Sequence, residues 1–372
     1  MDAVIVGAGT FGASLAWWLA RAGHGVTLVD QFEPGDPRAT SGGESRLIRC
    51  GHGADPDYTA MARRARALWR ELQAETGEEI FVESGLVWFA HRPDVWEATS
   101  EATLTAQGIP CERLDVGDGA RLFPTWDPTG LLFLLHEPEA GMLRAQRGVR
   151  ALARQAAAYG AVVRRGRAAP DGARAVLDDG SVLEGDVVVW ACGAWLAGLF
   201  AEHVPVRSVL AELFFLDGGP AWADPAIPAF VDLDLGFYGT RDLDGLGVKA
   251  APDFDGPPLD PDAPLPPVSA AREARTRELL GTRFPALREA PLKGAKTCRY
   301  ELTIDSHFIA APHPEHASVF LLGGGSGHGF KHGPAMAERV AGVLLGEGEP
   351  LPEHFGVGHR VPGDSLWPIG PT

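Results

Sequence analysis

Ala3-Val4-Ile5-Val6 runs without a break into Gly7-Ala8-Gly9-Thr10-Phe11-Gly12, and this stretch decides the fold. A helix-patterned run follows from Ala13 to Arg21 and closes at Gly23. A second apolar run, Val26 to Val29, ends on Asp30. Strand, glycines, helix, strand and acid at this spacing form the dinucleotide-binding fingerprint. Gly7 permits the tight turn, Gly9 lets backbone approach a pyrophosphate, and Gly12 lets the helix pack close to the strand. The free N–H groups at the helix start, around Thr10 and Phe11, suit phosphate, and Asp30 suits ribose hydroxyls. The motif alone does not separate NAD from FAD.

The chain has 372 residues, enough for two domains, with 45% hydrophobic and 22% charged residues, as in ordinary soluble proteins. A net charge of −16 argues against nucleic acid and anionic membranes as partners. No apolar run reaches the length of a membrane span, and the first strand leaves no room for a signal peptide, so a cytoplasmic protein is expected. Cys50, Cys111, Cys192 and Cys298 form no CxxC pair, and no metal site is expected. Lysine is scarce: Lys249, Lys293, Lys296 and Lys331 are the whole set. A lysine here therefore needs a specific reason.

The pattern predicts a helix from Tyr58 to Thr76 and a strand from Val82 to Phe89 with Gly85 as a bulge. It predicts further helices over 95–107 and 143–159, and a hairpin turning at Asp179-Gly180. Asp186 to Trp190 reads as a buried parallel strand ending at Cys192-Gly193-Ala194-Trp195, where ligands bind in open α/β sheets. Strands are expected over 206–216, 230–235 and 246–250, a proline-rich loop over 252–268, and a helix over 270–280. The strand 319–322, the loop Gly323 to Gly333 and a helix from Pro334 to Gly346 return to the first character. The expected fold is α/β with α+β insertions. A discontinuous Rossmann-type cofactor domain (1–80, 141–205 and 299–372) carries a β-rich substrate domain (81–140 and 206–298).

Several ordered motifs sharpen this reading. They are Ser41-Gly42-Gly43-Glu44-Ser45-Arg46-Leu47-Ile48-Arg49, Gly193-Ala194-Trp195, Cys298-Arg299-Tyr300, Asp305-Ser306-His307-Phe308, His313-Pro314-Glu315-His316 and Ser326-Gly327-His328-Gly329-Phe330-Lys331. Together they resemble the monomeric sarcosine oxidase and N-methyltryptophan oxidase family, flavoproteins related to D-amino-acid oxidase. The resemblance spans nearly the whole chain and implies FAD as cofactor, an amino-acid substrate, dioxygen as second substrate, and a monomer.

It also implies roles. Cys298 matches a cysteine that forms a thioether to the flavin 8α-methyl, and Lys293 and Lys296 nearby are expected to lower its thiol pKa. Arg49 and Lys331 match the pair that holds the substrate carboxylate. Lys249 matches a lysine near flavin N5 that favours reaction with dioxygen, where a fixed positive charge stabilises superoxide. Ser41, Arg46, Gly193, Trp195, Gly327, His328, Gly329 and Phe330 fall on the cofactor side, with Arg46 positioning the loop or the flavin. The loop 323–333 and the helix start behind it offer N–H groups to negative charge on reduced flavin. His328 is expected to pack or hydrogen-bond rather than ligate metal, because no second ligand stands at a recognised spacing. His52 and Tyr300 complete the substrate set.

Three positions depart from the family pattern. Gly42 stands where a His is expected, His52 where an aromatic residue is expected, and Asp253 where a His often occurs. The implied reaction is oxidation of a secondary or N-alkylated amino acid, by hydride transfer from carbon to flavin N5, to an imine and hydrogen peroxide. Oxidation of a cyclic imino acid or biosynthetic intermediate, a dehydrogenase with another acceptor, and a non-catalytic flavin subunit remain the alternatives.

Overall fold

The computed structural model describes residues 1–252, 256–358 and 360. Its first element, β1 (Asp2–Val6), is a buried apolar strand that lies between two parallel neighbours. The helix α1 (Thr10–Arg21) follows directly and leads back to β2 (Gly25–Asp30). The sheet runs Ile309–Pro312, Val319–Gly323, Val187–Trp190, β1, β2, Val162–Arg165, parallel except for the antiparallel edge strand Ile309–Pro312. All five residues of Val319–Gly323 and all four of Val187–Trp190 are buried, as a sheet covered on both faces requires. Its helical layer contains α1, Ala145–Ala158 and Gly333–Leu345.

The second large sheet has eight strands, in the order Leu292–Thr303, Val206–Leu216, Val248–Pro252, Phe237–Asp242, Ala229–Asp232, Leu86–Ala90, Phe133–Glu137, Glu112–Leu114. Its core includes Phe89, Phe123, Trp222, Phe230 and Phe284. A separate three-stranded sheet has the order β3 (Ser45–Ile48), Gly141–Arg144, Phe81–Val82. We propose the division into cofactor and substrate domains along these sheets. The strand Leu292–Thr303 runs unbroken across the 298/299 boundary drawn from the sequence.

Two local expectations are corrected. Gly85 is not a bulge: with φ of +79° it separates Phe81–Val82 from Leu86–Ala90, which belong to different sheets. The helix expected from residue 143 starts at Ala145, because 141–144 pairs with β3 as a strand. The helix Pro56–Thr76 (α2) starts under an Asp55 cap that accepts from the N–H groups of Asp57 and Tyr58. Asp253 and residues 361–372 lie outside the described residues.

Candidate active site and cofactor cleft

The tight turn after β1 has a steric cause. Gly7 has φ of +106°, and a Cβ there would sit 2.2 Å from the Ala191 carbonyl oxygen. A Cβ on Gly12 would fall 1.9 Å from the Gly7 carbonyl oxygen. The chain therefore turns inside a space that admits no side chain, and α1 starts directly behind it. Asp30, at the end of β2, accepts the Ala8 N–H at 2.6 Å and the Phe32 N–H at 2.8 Å. Burial raises its pKa, partly offset by those two bonds.

The turn opens on a cleft of about 1140 Å³, counting solvent in its mouth. Gly7, Gly9, Thr10, Phe11 and Asp30 form one wall. Ser41 from the loop before β3, Arg46 from β3 itself, Gly193 and Trp195, and Tyr300, Gly327, Gly329 and Phe330 also line it. Of the expected cofactor residues, Gly12, Cys298, His328 and Lys331 do not line the cleft. Ser41 Oγ accepts the Thr10 N–H at 2.9 Å, so the loop is tied to the start of α1 and this N–H, expected to be free, is not. Arg46 holds that loop closed by donating to the carbonyls of Thr40, Gly42 and Ser45. The proline-rich segment is fastened to the same wall: Asp262 accepts from Trp195 Nε1 at 2.8 Å and from Arg167.

Two groups that sequence reasoning missed point at a ligand. Thr40 Oγ1 and Glu301 Oε2 are buried in the cleft wall with no hydrogen-bond partner in the structure. Buried polar atoms are seldom left so, and a bound group with hydroxyls and N–H donors would satisfy them. The residues thus fit FAD: small turns for its phosphates, an acid beside its ribose position, and unsatisfied polar groups further along. Nothing in the sequence marked Glu301, because its tie to Gly325 N–H at 3.0 Å spans 24 residues.

Beyond the cleft lie the candidate reacting groups. Lys249 is 2% exposed, and its ammonium donates to the Ser45 carbonyl at 2.8 Å. Burial lowers its pKa to about 7, and Arg46 adds to the effect. Cys298 is buried, and burial raises its thiol pKa against the opposing pull of Arg46 and Lys249. The expected activation by Lys293 and Lys296 is therefore corrected. Lys296 pairs with Glu44 and Lys293 with Asp242, while Arg46, Lys249 and Arg299 are the cations that act on the thiol. Tyr300, two residues on, meets the Tyr238 hydroxyl at 3.1 Å.

Arg49 and Lys331 are both buried and repel each other enough to depress the lysine pKa, after burial itself. Arg49 lies over Trp88 at 4.8 Å and Trp96 at 5.5 Å, and donates to the Gly51 carbonyl. Lys331 Nζ donates to the His328 carbonyl at 2.9 Å. His328 is not the isolated imidazole its spacing suggested. His52, His328 and His332 each bring one ring nitrogen within 4.8 Å of the others. Burial first, then Lys331, holds all three well below the usual histidine range, so they are neutral. With Arg49 and Lys331 beside them they form a packed aromatic cluster rather than an attractive seat for a further cation. His52 Nδ1 meets the Cys50 carbonyl at 2.9 Å, and its Nε2 meets His332 Nε2 at 3.2 Å.

Gly42 has a local explanation. A Cβ there would lie 2.2 Å from the Asp36 carbonyl oxygen, so this loop has no room for the His of the family pattern.

The family described as FAD dependent oxidoreductase (DAO) matches residues 2–342. Monomeric sarcosine oxidase from Bacillus sp. (strain B-0618) is 29% identical over 92% of each chain. N-methyl-L-tryptophan oxidase from Yersinia pestis (strain Pestoides F) is 25% identical over 94% of this chain and 96% of its own. In fold, the L-proline dehydrogenase of P. horikoshii superposes with a TM-score of 0.83 over 95% of this chain and 96% of that one, at 20% identity.

Proposed function

The chain belongs to the FAD dependent oxidoreductase family, and on that premise we propose an oxidase of secondary or N-alkylated amino acids. The buried Arg49–Lys331 pair carries this reading. Two cations held away from water, with neutral imidazoles around them, create a strong demand for an anion. A substrate carboxylate meets it, with the guanidinium as fork and the ammonium as point charge. Anchoring the carboxylate fixes the position of the amine and of the neighbouring C–H.

FAD, when bound, would supply the acceptor for the hydride from that C–H, and dioxygen would take up both electrons as hydrogen peroxide. Gly7, Gly9 and the start of α1 would hold its pyrophosphate and Asp30 its ribose, and Cys298 would fasten it as a thioether, with its S–H and one 8α-methyl C–H bond broken and the two electrons passing through the ring to dioxygen. Lys249 supplies a positive charge where dioxygen turns anionic, and the Ser45 carbonyl aims it. The oxidised substrate leaves as an imine, which water hydrolyses. A monomeric, cytoplasmic enzyme goes with this reading, and none of the described helices is long and apolar enough to cross a membrane.

A hydrogen peroxide assay over N-methyl, N-alkyl and cyclic amino acids tests the proposal. Turnover of at least one carboxylate-bearing secondary amine is expected. Rapid anaerobic reduction followed by slow reoxidation in air would instead identify a dehydrogenase with another acceptor.

A further inference from the structure

Glu137 ends the strand Phe133–Glu137 and is 1% exposed. Its Oε2 accepts the Cys50 N–H at 2.7 Å, and the Gly51 N–H lies 3.1 and 3.2 Å from its two oxygens. Its Oε1 also accepts the indole N–H of Trp88 at 2.9 Å. Two of these three donors belong to groups that seat Arg49. The Gly51 carbonyl accepts from the guanidinium, and the Trp88 ring lies against it. A Cβ on Gly51 would stand 2.9 Å from Glu137 Oε1, so a glycine there is what lets the carboxylate come this close.

We propose that Glu137 is the positioning residue of the carboxylate anchor, fixing Arg49 through the Gly51 carbonyl and the Trp88 indole while offsetting the charge of both cations. The inference rests on the anchor reading of Arg49 and Lys331 given above. Its electrostatic half concerns Lys331, which is faced by Arg49, Cys50 and Glu137 and neighboured by His52, His328 and His332. Burial and Arg49 push the Lys331 pKa down, whereas Cys50 and Glu137 push it up. Without the Glu137 charge, Lys331 gives up its proton at a lower pH and the clamp loses its point charge.

The test titrates acetate into the purified holoenzyme across pH, follows the flavin absorbance, and uses dimethylamine as the carboxylate-free control. Glu137→Gln keeps the shape, removes the charge and turns one acceptor into a donor facing N–H groups. Acetate binding is expected to weaken about tenfold or more, since charge-assisted hydrogen bonds are lost, with dimethylamine changed by less than about twofold. The pH at which acetate binding fails should also move down. Acetate affinity within about twofold of the unmutated enzyme at every pH overturns the inference. A loss equal at every pH overturns it too, because a purely structural part would behave so. If Glu137→Gln does not fold, Trp88→Phe decides: it keeps a ring against Arg49 but loses the N–H. An acetate affinity unchanged in that variant is equally fatal. If the unmutated holoenzyme binds acetate no better than dimethylamine, the anchor reading itself fails first.

Discussion

The ammonium of Lys249 donates to the backbone carbonyl of Ser45, 204 residues away in the chain. Lys249 lies on a strand of the eight-stranded sheet, and Ser45 opens β3, next to the cleft-lining Arg46. One buried charge thus ties the two halves of the chain together. It is held where its own protonation is costly, which is how functional sites are often built.

Lys249→Met should separate function from stability. Reoxidation of the reduced enzyme by air is expected to slow by about a hundredfold, the scale for losing one preorganised charge. Reduction by substrate should change little. Because the folded pKa is lowered from 10.5 to about 7, the cost of burying the charge is fully present below pH 7 and fades toward pH 10.5. The variant should therefore be more stable than the parent by an order of a few kcal/mol at pH 6. That gain should shrink as pH rises. Stopped-flow traces and melting curves at several pH values check both parts, and equal slowing of the two half-reactions would refute the role.

Cys298→Ser should leave the flavin in the supernatant after acid precipitation, whereas the parent protein should stay yellow in the pellet. Parent protein that releases all its flavin refutes covalent attachment.

Arg49→Ala should raise KM for amino-acid substrates by about 10- to 100-fold, on the energy scale of a buried charge-assisted pair. Amines without a carboxylate should lose much less. Steady-state kinetics on matched substrate pairs gives the answer, and better turnover of the carboxylate-free partner by the parent enzyme would contradict the anchor.

Glu301→Ala should weaken FAD retention. The carboxyl has one oxygen on Gly325 and one without a partner, facing the cleft. Its loss should lower the melting temperature of the holoenzyme more than that of the apoprotein. An equal drop in both forms would mean that Glu301 only supports the loop.

Gly42→His, which restores the family pattern, should destabilise the protein by about 1–3 kcal/mol, the usual cost of overpacking, because its Cβ meets the Asp36 carbonyl. Thermal melting decides, and an unchanged midpoint would show that the loop yields freely.

The sequence by itself determined the parts that depend on neighbours in the chain. Gly7, Gly9, Gly12 and Asp30 announce the cleft because a turn, a close approach and a strand end are local events with local steric rules. The ordered motifs from Ser41 to Arg49 and from Ser326 to Lys331 marked Arg46, Arg49 and Lys331 through their resemblance to the family. The tertiary structure decided whatever depends on burial and on partners distant in sequence. The charges around Cys298 come from Arg46 and Lys249, not from its chain neighbours Lys293 and Lys296, since those two are taken up by ion pairs with Asp242 and Glu44. His52 and His332 meet across 280 residues, and Glu137 reaches Cys50 and Gly51 across nearly ninety. Such meetings follow from packing, which no spacing along the chain encodes.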